Sequence, residues 1–209
     1  MSRDHDRHAD RRPAATAGIV LAGGAGRRLG GVDKPGLIIA GSTLLDRALV
    51  ALGDTPVVVV GTRRRTGRPV TFVVEDPPGS GPAAAVRAGV TALRTLDDDT
   101  VIVLLAADLP AVSGDTVDRL VNGLARAAAD PDADDTDGAV LLDRGNQEQL
   151  LLGVWRIGSL RRACAQRSSW TDVPLRQLLA PLRRVAVPEL DDEAADIDTP
   201  EQWRRWSDR

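Results

Sequence analysis

Along the chain, two kinds of segment alternate. Continuously apolar runs occupy 17–22 ("AGIVLA"), 55–61 ("TPVVVVG"), 69–75 ("PVTFVVE") and 100–106 ("TVIVLLA"). They are rich in β-branched residues and bounded by Gly or Pro. Runs of this kind predict strands buried on both faces. Between them lie stretches with helical spacing. Residues 42–52 open at Ser42 as N-cap, 81–96 carry Pro82 in the first turn, and 113–129 are amphipathic. Further on, "AVLLD" and "QLLLGVWR" predict strands flanking a turn at Gly145-Asn146, followed by short helices near 157–167 and 172–180. "RRVAVP", a loop and "DTPEQWRRW", which opens a last helix, close the chain.

Strands alternating with helices predict an α/β fold. The expected form is a Rossmann-like three-layer sandwich, with a mostly parallel sheet and an antiparallel addition near Gly145. No internal repeat or linker divides the 209 residues, so residues 17–209 are read as one domain. Residues 1–16, "MSRDHDRHADRRPAAT", are charged and lack bulky apolar side chains. They predict a disordered tail.

Composition narrows the function. The formal net charge is -3, which argues against a nucleic-acid binder. No run approaches the ~18 apolar residues of a membrane span. The single cysteine, Cys164, leaves no intramolecular disulfide, so the cytoplasm is the expected compartment. Both histidines, His5 and His8, fall in the tail, which removes the usual base or nucleophile partner from the core.

In open α/β sheets, ligands bind outside the carboxyl ends of the strands. Three features fall there: the loop Gly23–Lys34, the pair Glu75-Asp76, and Asp108 after the 100–106 run. The loop, within "LAGGAGRRLGGVDKP", fits neither common phosphate motif. Leu29 breaks the dinucleotide pattern, and Val32 stands where a P-loop has its lysine. Its glycines still allow an anion nest, with Arg28 and Lys34 adding charge; the alternative is a turn with solvated arginines. Lys34 is the only lysine, every other residue among the 27 Lys+Arg being arginine. A compact ammonium kept where a planar fork would not fit is one reading, and chance is the other. Asp108 reads as a Mg²⁺ ligand or as a helix cap, and Asp198 as a metal ligand or as N-cap before Pro200. Arg63 to Arg65 and the acidic runs 97–99 and 130–137 read as solvated. Cys164 and the tryptophans at 155, 170, 203 and 206 read as packing.

The stretch 21–34 resembles the signature of the molybdenum cofactor guanylyltransferases, within the wider nucleotidyltransferase family. Its elements here are Leu21-Ala22-Gly23-Gly24, Arg28-Leu29-Gly30 and Asp33-Lys34. "EDPPGSGPAAA", "AADLP" and "DIDTPEQW" resemble that family's later motifs, in order. The resemblance implies transfer of GMP from GTP to the terminal phosphate of molybdenum-molybdopterin, with release of pyrophosphate and with Mg²⁺ as cofactor. It implies that Leu21, Ala22, Gly23 and Gly24 contact the nucleotide through the backbone, with Asp76 and Gly81 in the same pocket. Lys34 and Arg28 would grip phosphates, Asp108 would hold Mg²⁺, and Asp198 or Asp196 would assist. It also implies transient contact with molybdoenzymes or cofactor-delivery proteins. In this chain Ala85 replaces the last glycine of the family's GPLAG motif, and aspartates stand where some members carry asparagines. The rivals are a molybdopterin cytidylyltransferase, a sugar-1-phosphate nucleotidyltransferase and a nucleotide-binding regulator without turnover.

Overall fold

The computed structural model describes residues 17–23, 32–130 and 135–208. The expected tail, and Gly24, Arg28 and most of the glycine loop, lie outside the described residues.

A seven-stranded sheet runs through the molecule in the order β5-β4-β1-β6-β8-β7-β9. Its strands are β1 (Ala17–Leu21), β4 (Val57–Val60), β5 (Thr71–Val73), β6 (Val101–Ala106), β7 (Gly138–Leu142), β8 (Glu148–Arg156) and β9 (Arg184–Pro188). β4, β5 and β6 join β1 in a parallel half. β8 runs against both β6 and β7, and β7 pairs in parallel with β9. The expected antiparallel addition is therefore one reversed strand inserted in an otherwise parallel sheet.

The continuous apolar runs follow from this arrangement. In β1, Ile19 and Leu21 face one core while Val20, and Ala22 just past the strand, face the other. Val58 and Val60 oppose Val57 and Val59 in the same way on β4. The first core is covered by α2 (Pro82–Ala92), α4 (Ile157–Ala165) and α5 (Leu175–Leu179). The second is covered by α1 (Leu44–Ala51) and α3 (Gly114–Ala128). Two apolar layers on one sheet leave strands no polar face, hence no period-two alternation.

Local details depart from expectation in places. Ser42 does not cap α1. It belongs to a two-residue strand, β3 (Ser42–Thr43), paired with β2 (Ile38–Ile39), and Thr43 caps the helix by accepting from the Asp46 amide at 3.0 Å. The hairpin uses Ser42 in its ladder and moves the helix start by one residue. α2 stops at Ala92, short of the expected 96, with Leu93 as its cap. The turn at Gly145-Asn146 is present, with Asn146 at φ 58°. α6 (Pro200–Ser207) is capped by Thr199.

A satellite core joins the C-terminal segment to residues 37–44. Leu37, Ile39, Leu44 and Ile197 are all buried together, with Trp206 packed against them. Through this cluster the C-terminal segment is held beside the residues that follow the glycine loop.

Candidate active site

Strand order reverses its direction of growth between β1 and β6, because β4 and β5 lie on one side of β1 and β6 on the other. A crevice at such a switch point is where open α/β sheets bind ligands. Here a cleft of about 790 Å³ opens at the carboxyl ends of the parallel strands. Its walls include Leu21 at the end of β1 and Gly23 after it, Gly61 after β4, Glu75 after β5, and Asp108 after β6.

The β1 and β4 ends approach closely. Gly61 sits at φ 148°, and a Cβ there would stand 2.8 Å from the Ala22 carbonyl. Only glycine allows this contact, and it brings the Gly23 backbone to the cleft wall. Gly61→Ala is expected to destabilise the fold by about 2 kcal/mol, or roughly 4–8 °C in melting temperature for a chain of this size. Nucleotide affinity should fall with it; an unchanged thermal melt would contradict the close packing.

One end of the cleft concentrates charge. Lys34 begins a single 3-10 turn held by Gly36 N–H donating to Asp33 O and Leu37 N–H donating to Lys34 O. Its ammonium donates to Asp198 Oδ1 and lies 3.6 Å from Asp108 Oδ2. Asp108 follows β6, and its own carbonyl accepts from Ile197 N–H at 3.3 Å. That bond, and Ile197 plugged into the satellite core, set Asp196 and Asp198 on either side of a fixed residue. Oxygens of Asp108, Asp196 and Asp198 all lie within 4.8 Å of one another. Burial pushes the Asp108 carboxyl above its ordinary value; Lys34 pulls it down, while Asp196 and Asp198 push it up further. Three clustered carboxylates, two of them paired with one ammonium, leave negative charge that a small hard cation would neutralise.

The other end is built on Pro78, Gly79 and Gly81. Glu75 Oε1 accepts from Gly79 N–H at 2.9 Å and folds the turn. Gly81 stands at φ 91° before Pro82, where α2 starts. Ala85 lies on the cleft wall, while Ala83 is fully buried beneath it.

Of the residues singled out in the sequence, Leu21, Gly23, Lys34, Gly81, Asp108 and Asp198 line this cleft together. Ala22 is buried behind it, and Asp196 joins through the carboxylate group. Asp76 is exposed and is not among the lining residues; its neighbour Glu75 is. Gly61 and Thr62 also line it. A glycine ending a β-branched run beside β1 was the readable signal for the first.

Other side chains find structural partners. Arg64, from the triple-arginine stretch, pairs with both oxygens of Asp33, next to Lys34. Burial pushes the Cys164 thiol up to about 11, which fits packing and not nucleophilic work. Trp155 is fully buried, and Trp170 Nε1–H donates to Cys164 O. Asp98 of the acidic run 97–99 pairs with Arg161. No helix of the described residues is long and apolar enough to cross a membrane.

Comparison with known proteins shows the family and the fold. A family model described as the MobA-like NTP transferase domain matches residues 18–186. A molybdenum cofactor guanylyltransferase from Nitrobacter hamburgensis is 34% identical over 71% of this chain and 72% of its own length. A 2-C-methyl-D-erythritol 4-phosphate cytidylyltransferase from Thermobifida fusca is 32% identical over 78% of this chain and 70% of its own. The crystal structure of molybdopterin-guanine dinucleotide biosynthesis protein A from Archaeoglobus fulgidus superposes with a TM-score of 0.66, at 22% identity. It covers 92% of this chain and 97% of that one. This last likeness shows the fold.

Proposed function

The chain belongs to the MobA-like NTP transferase family, and on that premise we propose that it transfers GMP from GTP to the terminal phosphate of a molybdopterin cofactor. The observation that carries this reading is Lys34 set between Asp108 and Asp198 at one end of the cleft, with the Asp196 carboxylate beside those two. Triphosphate chemistry belongs at that charged end, and the base belongs at the Glu75–Gly81 end.

The donor set fits Mg²⁺. It is all carboxylate oxygen, and Mg²⁺ takes one or two carboxylates with substrate phosphates completing its shell. Asp108 and Asp198 would hold the ion, with Asp196 beside them. When bound, it would neutralise charge on the α-phosphate and on the departing pyrophosphate.

The protein's own residues do the rest. The attacking group is a phosphomonoester oxygen, ionised at neutral pH, so no side chain has to remove a proton. A core without histidine suits such a reaction. The Leu21–Gly23 backbone and the Gly61 close approach shape the wall along which the nucleotide is laid in line with the acceptor. Lys34, free to move its ammonium from Asp198 to a phosphate oxygen, offsets the charge that builds on the leaving group. The bond from the acceptor oxygen to the α-phosphorus forms as the α–β bridge breaks, and pyrophosphate carries the charge away. The proposed compartment is the cytoplasm.

Base choice is tested by offering GTP and CTP separately, with Mg²⁺ and molybdopterin, and following pyrophosphate. The expected result is turnover with GTP. Turnover with CTP alone would shift the reading to the cytidylyl transfer that the Thermobifida relative's name describes. Nucleotide-induced thermal stabilisation without turnover would leave a binding protein.

A further inference from the structure

Taken as a whole residue, Glu193 is the one charged residue in the buried class among the described residues, at 5% exposure, and the proposed reaction does not use it. It lies in the segment 189–198, which carries Asp196 and Asp198. Both of its oxygens are fully engaged. Oε1 accepts from Thr116 Oγ1–H at 2.6 Å and from Arg119 Nη1 at 2.9 Å. Oε2 accepts from Arg119 Nη2 at 2.5 Å and from the Leu190 amide at 3.0 Å. Burial alone would raise this carboxyl; the bonds from Arg119, Thr116 and Leu190 outweigh it and hold it below the usual range.

The donors are themselves fixed. Thr116 and Arg119 lie three residues apart, on one face of α3. Thr116 is fully buried and forms a capping box with Ser113. The rest of the segment is held by local contacts: Glu189 Oε2 accepts from Ala194 N–H at 3.3 Å, Asp192 O accepts from Ala195 N–H at 3.0 Å, and Ala194 packs against the second core. After β9 the segment continues the ladder once, with Glu189 N–H donating to Leu142 O, and it turns through Asp192 at φ 52°. Arg144 also touches it at Glu189, Leu190 and Asp192, but that side chain is 65% exposed. Beyond Ala194 the next residue buried in a core is Ile197.

We infer that Glu193 is a positioning residue: gripped by Thr116 and Arg119 of α3, it sets Asp196 and Asp198 opposite Asp108 at the spacing a divalent cation needs. The inference rests on the metal reading of those carboxylates. Without the grip, like charges on a loosened segment would separate. Partners that orient metal-binding carboxylates commonly change metal affinity by about 10- to 100-fold when replaced.

The test is Mn²⁺ binding without nucleotide, read by electron paramagnetic resonance, on the wild type, Glu193→Gln and Arg119→Lys, each with a thermal melt. Arg119→Lys keeps the charge and loses the fork. Glu193→Gln should raise the Mn²⁺ dissociation constant about 10-fold, and Arg119→Lys should raise it by less. The Mg²⁺ concentration for half-maximal pyrophosphate release should move in parallel, with KM for GTP at saturating Mg²⁺ unchanged. If Glu193→Gln does not fold, the same shift in Arg119→Lys carries the test. Lower melting temperatures with wild-type Mn²⁺ affinity in the folded variants would overturn the inference and leave Glu193 purely structural. A wild type that binds no Mn²⁺ would overturn the metal reading, and the inference with it, before any substitution is compared.

Discussion

Asp108→Asn is expected to lower kcat for pyrophosphate release by about 10³-fold, the scale seen when one preorganised electrostatic group is removed from a transition state. The same substitution should raise thermal stability in EDTA at pH 7. Burial, with Asp196 and Asp198 nearby, holds the Asp108 carboxyl above its ordinary value. A carboxyl so raised binds its proton more tightly in the folded chain than in the unfolded one. Its contribution to stability is therefore present at low pH and is lost as pH rises from the ordinary to the raised value. Asparagine does not titrate and avoids that loss. The variant's advantage should shrink as pH falls from the raised value to the ordinary carboxylate value, and change no further below it. Lys34 retains Asp198 as partner in the variant. Saturating Mg²⁺ should reverse the order, because the ion stabilises only a chain that binds it well. A stability cost in EDTA at pH 7 would contradict the view of Asp108 as strained for function.

Lys34→Arg should lower kcat by about 10²-fold with the fold intact, which is the cost of misplacing a reacting group by about 1 Å. The ammonium now sits between two carboxylates, bonded to Asp198 and 3.6 Å from Asp108. A planar guanidinium is larger and fixed in direction. The backbone has little room to compensate, because Pro35 is buried and the turn is closed by two hydrogen bonds. The melting temperature should stay near that of the wild type. Wild-type kcat in this variant would make the single lysine a compositional accident.

Much of this site was legible because its parts follow strand ends. Continuous apolar runs mark strands covered on both faces, and Asp108 falls just past one of them. What pattern does not carry is the pairing of distant residues. Lys34 and Asp198 are 164 residues apart, and only the family resemblance joined them. The hairpin of β2 and β3 has two residues per strand, too few for any period to appear. β9 is a partly exposed edge strand opened by arginine, so its run reads weakly. Glu75 and Asp76 are adjacent and chemically alike, and only the folded turn, in which Glu75 accepts from the Gly79 amide, sets Glu75 on the cleft wall. Thr116, Arg119 and Glu193 gave no signal, because a buried acid looks the same in sequence as a solvated one.

The most direct test of guanylyl transfer is a single turnover with GTP labelled at the α-phosphate, molybdopterin and Mg²⁺, with a matched reaction in EDTA. The expected result is label in a guanine dinucleotide of the pterin, one equivalent of pyrophosphate, no label on the protein, and neither product in EDTA. Release of inorganic phosphate with labelled GDP would place the cleavage at the γ-phosphate and contradict the account.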